Sequence, residues 1–156
     1  KMVDSPIIKL FQDSASSVLK SMIMADVTPR TPYLKEGNHT FGAVTAVIGM
    51  ASQTVHATLA ISFPEETIFG IFKMMLGDEI AEINDEVLDA AGELTNMICG
   101  DAKRRLSQLS ISVEMASPVV LSGTGVRIRN RVKRNTWVLP FETPAGEFVL
   151  ETNMPE

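Results

Sequence analysis

Glu93 and Asn96 stand three residues apart in the stretch DAAGELTNMICGDAKRRL, which runs from Asp89 to Leu106. Asp89 lies four positions before Glu93, and Gly100 four after Asn96. At about 100° per residue all four fall on one side of a helix, with Val87, Ala91, Leu94, Ile98, Ala102 and Leu109 on the other. A carboxylate accepts hydrogen bonds or pairs with a cation, and a neutral amide both donates and accepts. Side by side on a wet helix face, such a pair ordinarily meets only solvent. The glycines set this face apart. Gly92 and Gly100 flank the pair, and each costs about 1 kcal/mol relative to alanine in a helix interior. They point to close approach by another surface or by a neighbouring element of the same chain.

The helix that carries the pair is expected from near Asn84, a good cap, to roughly Leu109. An earlier helix is expected from Pro6 to Met24, with Ser5 as cap and Pro6 in its first turn. Its buried side follows Ile7, Leu10, Phe11, Ser14, Val18 and Met22. A shorter helix opens at Pro64-Glu65-Glu66 and extends to Leu76. Its acidic first turn complements the backbone dipole, Ile68, Ile71, Phe72 and Met75 face inward, and Gly77 closes it.

The remaining segments alternate like strands. Phe41–Met50 and Gln53–Ser62 form an expected hairpin about an Ala51-Ser52 turn. ISVEM and PVVLSG are short extended pieces. Thr136–Glu142 and Gly146–Glu151 form a terminal hairpin about Pro144-Ala145, with Pro140 demoting part of its first strand toward an edge. A weak internal duplication is visible. DSASSVLK in the first helix aligns with DAAGELTN in the long one, placing Asp13 on Asp89, Ser17 on Glu93 and Lys20 on Asn96. Each half is too short to bury its own faces, so one domain over residues 2–156 is expected.

Composition excludes several classes. Of 156 residues 45 % are hydrophobic and 21 % charged, as in a globular protein, and the net charge of -5 argues against a nucleic-acid binder. The single cysteine, Cys99, forbids an internal disulfide. No apolar run is long enough to span a membrane, and KMVDSPIIKLF lacks the pattern of a signal peptide. A cytoplasmic location is expected.

Asp89-x-x-x-Glu93-x-x-Asn96 on a long helix, followed by Pro118 in VEMASPVVLSG, resembles the signature of the CheC/CheX/FliY phosphatases of bacterial chemotaxis. The resemblance covers most of the chain. One Glu-x-x-Asn copy rather than two favours the CheX branch, because Ser17 and Lys20 depart from an active second copy. The resemblance implies an α+β, CheC-like fold in which a largely antiparallel sheet packs against long helices. It implies hydrolysis of the aspartyl phosphate on a phosphorylated CheY-like receiver domain, and a homodimer. No cofactor is expected on this chain, because the receiver brings its own Mg2+. Asn96 would then position the attacking water and Glu93 would pair with a receiver lysine. Asp89, Gly92, Gly100 and Pro118 would shape the site or touch the partner. The alternative is a non-catalytic module that binds receiver domains or the flagellar switch.

Other chemistry is poorly supported. His39 and His56 are too few and too far from Cys99 in sequence for a metal site. His56 fits an exposed strand face and Cys99 a small buried hydrophobe. GTG at Gly123–Gly125 lacks the lysine and helix of a phosphate loop. Arg127, Arg129, Arg131, Lys133 and Arg134 form a basic run, best read as a solvated edge or loop; an acidic protein partner is an intermediate reading, and the acidic total and the lack of interleaved aromatics count against the rival, nucleic-acid contact.

Overall fold

The computed structural model describes residues 5–130 and 133–155. Helix α1 spans Pro6–Ile23. Strands β1 (Thr28–Pro29), β2 (Tyr33–Leu34), β3 (Val44–Ala51) and β4 (His56–Phe63) follow. Helices α2 (Glu65–Leu76) and α3 (Asp85–Gln108) come next, then β5 (Glu114–Met115), β6 (Val119–Ser122), β7 (Trp137–Thr143) and β8 (Gly146–Thr152). The helix ends are capped as the residue types require. Ser5 Oγ accepts from the Ile7 amide and Asn84 Oδ1 from the Val87 amide, while Gly77 closes α2 at φ 80°.

Among the described residues eight strands join one antiparallel sheet in the order β1-β7-β8-β4-β3-β5, with β2 also on β7 and β6 also on β3. Two halves are legible in this order. Each is a helix, a pair of short strands and a hairpin: α1, β1/β2 and β3–β4, then α3, β5/β6 and β7–β8. The hairpins meet at the β4–β8 seam. Each half lends its short strands to the other half's hairpin, β1 and β2 to β7, and β5 and β6 to β3. This exchange gives the duplication a physical form and explains why neither half completes a sheet edge alone.

Alternate strand residues face the helices. Val44, Ile48, Leu59, Ile61, Leu139 and Leu150 join Phe11, Leu19, Ile68, Ile71, Leu94 and Ile98 in one core. Phe148 bridges the central strands, stacked 5.3 Å from Phe63 and 4.8 Å from Phe141. Helix α3 lies against α1 and crosses β3 and β6.

Three expectations are corrected. The β3–β4 connection is not an Ala51-Ser52 turn. Ala51 pairs with His56, so the loop is Ser52–Val55, closed by the Ser52 amide on the Val55 carbonyl and by Ser52 Oγ. β3 also starts later than Phe41, because the Gly42 amide goes to Ser62 Oγ instead of a ladder partner. Secondly, β7 is not an outer strand. Pro140 faces Val149 and its carbonyl accepts from the Arg30 amide, so its missing N–H falls on the side of β1 and β2, between their two short pairings. Thirdly, Leu109 lies beyond α3 and is exposed; Leu106 is the buried residue of that last turn.

The basic run is loop rather than strand over its described part. The Ile128 amide donates to the Asn38 carbonyl and the Thr40 amide to the Val126 carbonyl, about a bridge between His39 and Arg127. Arg127 and Arg129 are exposed, and Arg131 lies outside the described residues.

Candidate functional site

Helix α3 is fixed by its inner face. Val87, Ala91, Leu94, Thr95, Ile98, Cys99 and Ala102 are buried there. Thr95 Oγ1 donates to the Ala91 carbonyl at 2.8 Å, so even the one hydroxyl among them is satisfied within the helix. Burial pushes the Cys99 thiol up to about 12, which keeps it protonated and inert.

Asp89, Glu93, Asn96 and Gly100 are all exposed on the opposite face. Residues three and four apart on a helix are neighbours, so these form one continuous stripe. Among the described residues, the side chains of Glu93 and Asn96 have no hydrogen-bond or ion-pair partner, although seven ion pairs form elsewhere. Both side chains are therefore available on a helix anchored by its buried face.

The two glycines beside the pair differ. Gly92 is buried, and a methyl group there would stand 3.3 Å from Val120 Cγ2. It lets α3 settle on β6, the strand that Pro118 leads into. Gly100 is exposed, and among the described residues a methyl group there would meet nothing beyond its own helix within 4 Å. Pro118 is half-buried at the start of that strand segment.

The site is convex. A cavity of about 770 Å3 exists elsewhere, between Met50, His56, Met115 and Arg129, and neither Glu93 nor Asn96 lines it. Helical spacing also marks three further neighbours that the sequence reading left out: Met97, Lys103 and Arg104, around Gly100. Among the described residues no cluster of three His, Cys, Asp or Glu side chains is placed to hold a metal ion, and no helix is long and apolar enough to cross a membrane.

Residues 44–142 match the family described as chemotaxis phosphatase CheX. The chain belongs to that family. The CheY-P phosphatase CheX of Thermotoga maritima is 30% identical over 89 residues, which are 56% of this chain and 57% of that protein. The match thus spans little more than half of that relative's length. The chemotaxis protein CheX of Vibrio vulnificus superposes with a TM-score of 0.87 at 33% identity, over 96% of this chain and 99% of that one. A CheC-like superfamily protein from Shewanella sp. PV-4 gives 0.86 at 36% identity, over 94% and 95%. The CheX of a CheX–CheY–BeF3–Mg2+ complex from Borrelia burgdorferi shares the fold, with a TM-score of 0.81 at 23% identity over 99% of both chains. The CheC-like α+β fold expected from the resemblance is the fold of this CheX-family chain.

Proposed function

We propose that this chain hydrolyses the aspartyl phosphate of a phosphorylated CheY-type receiver, with residues 2–156 acting as one domain. The observation that carries the reading is the exposed, unpartnered Glu93–Asn96 pair on the outer face of a helix whose inner face is buried. Small substrates are usually enclosed in a cleft. A helix that projects its polar pair outward suits a substrate that brings the cleft itself, which is what a folded receiver offers. The likeness to the Thermotoga CheY-P phosphatase supports the same substrate.

In this mechanism the chain supplies position rather than a nucleophile. Asn96 accepts a hydrogen bond from water through its amide oxygen and donates through its amide nitrogen, so it can hold the water in line with the bond to be broken. The water oxygen bonds to phosphorus, the bond from phosphorus to the aspartyl oxygen breaks, and inorganic phosphate and the free carboxylate result. The water's protons leave with phosphate and solvent. Orientation of this kind supplies much of the rate available to a phosphoryl transfer. Glu93, one turn away, pairs with a lysine of the receiver and sets the docking register. The Mg2+ held by the receiver would neutralise charge on the phosphoryl oxygens. Asp89 extends the polar face, and Gly92 and Pro118 shape its rim. The family resemblance also supports a homodimer, which sedimentation would test.

The experiment is phosphate release from a phosphorylated CheY-type receiver with Mg2+. Asn96→Ala should remove most of the acceleration, by about 100-fold, with docking kept. Glu93→Ala should weaken docking as well. Full activity in both variants would sink the assignment, whereas wild-type binding without acceleration would make the chain a receiver-binding module.

A further inference from the structure

Three glycines lie inside helices, and two have a reason within the chain. A methyl group at Gly70 would come 2.6 Å from the Cβ of Ala145, and one at Gly92 would come 3.3 Å from Val120. Gly100 has none. Its φ is not in the left-handed region, it is exposed, and among the described residues nothing beyond its own helix backbone and chain neighbours lies within 4 Å of the place a side chain would take. It also lies well inside α3, which runs from Asp85 to Gln108, so it neither caps nor starts the helix. Alanine would suit the isolated chain better. Nothing among the described residues calls for bare backbone at this position.

The neighbours of Gly100 frame a notch. Asn96 and Met97 stand one turn before it, Lys103 and Arg104 one turn after. Both cations are engaged with carboxylates of their own chain, Arg104 with Asp101 at 2.7 Å and Lys103 with Glu114 at 3.7 Å. Met97 is 38% exposed and gives the notch an apolar wall next to the catalytic amide. The floor is therefore main chain, the wall beside Asn96 is apolar, and the far side is polar but not a free cationic cluster. Such a surface fits a main-chain segment better than a long or anionic side chain.

We infer that Gly100 is a docking notch, where a loop of the phosphorylated receiver packs its main chain directly on α3, one turn from Asn96. The inference rests on the phosphatase reading for the identity of the partner. Its consequence is separable: the notch governs binding, whereas Asn96 governs the chemical step. A side chain at position 100 lifts the receiver away from the helix and weakens docking while the fold is kept.

The test uses a CheY-type receiver carrying beryllofluoride and Mg2+ as a stable stand-in for the phosphorylated state. Binding is measured to the full chain, to Gly100→Ala and to Gly100→Leu, each with Asn96 intact and with Asn96→Ala. Gly100→Leu should weaken binding by about tenfold or more in both backgrounds, with Gly100→Ala in between. In turnover assays the KM for phosphorylated receiver should rise by a similar factor while kcat at saturation is kept. Thermal midpoints of both variants should equal or exceed that of the parent. Parental affinity in Gly100→Leu would overturn the notch, and so would a lower midpoint, since it would reveal an internal role for the glycine. If the parent binds but does not accelerate hydrolysis, the phosphatase reading fails and the binding series still decides the notch.

Discussion

Gly92 of α3 lies against Val120 of β6, so close that a methyl group at Gly92 would stand 3.3 Å from Val120 Cγ2. That contact sets how deeply the helix bearing Glu93 and Asn96 rests on the sheet edge. Gly92→Ala gains about 1 kcal/mol of helix propensity and squeezes Val120 by a few tenths of an ångström, so its net effect on stability should be small. Gly92→Leu should destabilise by about 1–3 kcal/mol through overpacking, and Val120→Ala in the same chain should return part of the loss. Denaturant midpoints of the single and double variants measure both effects.

Lys35 Nζ meets Glu151 Oε1 at 2.6 Å, with the two side chains only 13% and 10% exposed. The pair fastens the connection after β2 to the face of β8 turned away from the helices. Removing one partner leaves the other charge without compensation in a largely buried place. Lys35→Met should cost about 3 kcal/mol, while Lys35→Met with Glu151→Leu should cost clearly less. Equal losses in the single and double replacements would show that the ion pair is not the source.

Cys99 is 2% exposed, and burial holds its thiol at about 12. At pH 8 only about one thiol in ten thousand would be ionised. The native chain should resist iodoacetamide for hours and react promptly once unfolded. Cys99→Ala should keep the parental turnover of phosphorylated receiver, because the proposed mechanism forms no bond to the enzyme. Rapid native labelling, or a dead Cys99→Ala that is still folded, would contradict this.

Acid should act on Asp101. Its partial burial raises the carboxyl, but hydrogen bonds from Arg104 and Arg105, each 2.7 Å, outweigh that and hold it below its ordinary 3.8. A carboxyl lowered by folding contributes stability that is fully present above the unfolded value and is lost as pH falls through the folded one. The stability difference between the parent and Asp101→Asn should therefore be constant from about pH 5 to 7 and shrink below about pH 4. Chemical unfolding across that range checks the sign, and a difference that grows on acidification would refute it.

Much of α3 is legible from local rules. Asn84 as cap, the acidic first turn, the buried run from Val87 to Ala102 and the exposed stripe from Asp89 to Gly100 all follow from a 3.6-residue period and side-chain chemistry. Strand ends were less legible. Gly42 and Ser62 satisfy each other across the β3–β4 hairpin, and Ser52 closes a four-residue loop with its own hydroxyl. Side-chain bonds of this kind shift a boundary without altering the alternation that announces the strand. Pro140 looked like an edge signal, yet an interior place suits it, because its nitrogen faces a gap between two short neighbours.

By itself the sequence determined which residues share the wet face of the long helix, because neighbours three and four apart are set by helix geometry alone. It also held the faint repeat that pairs Asp13 with Asp89. Only the tertiary structure decided that the halves exchange their short strands across the β4–β8 seam, since strand partners are chosen by long-range register and not by local period. Only the tertiary structure separated the two glycines beside the acid–amide pair. Both carry the same local penalty, but Val120 fills the space above Gly92, whereas among the described residues no other element fills the space above Gly100.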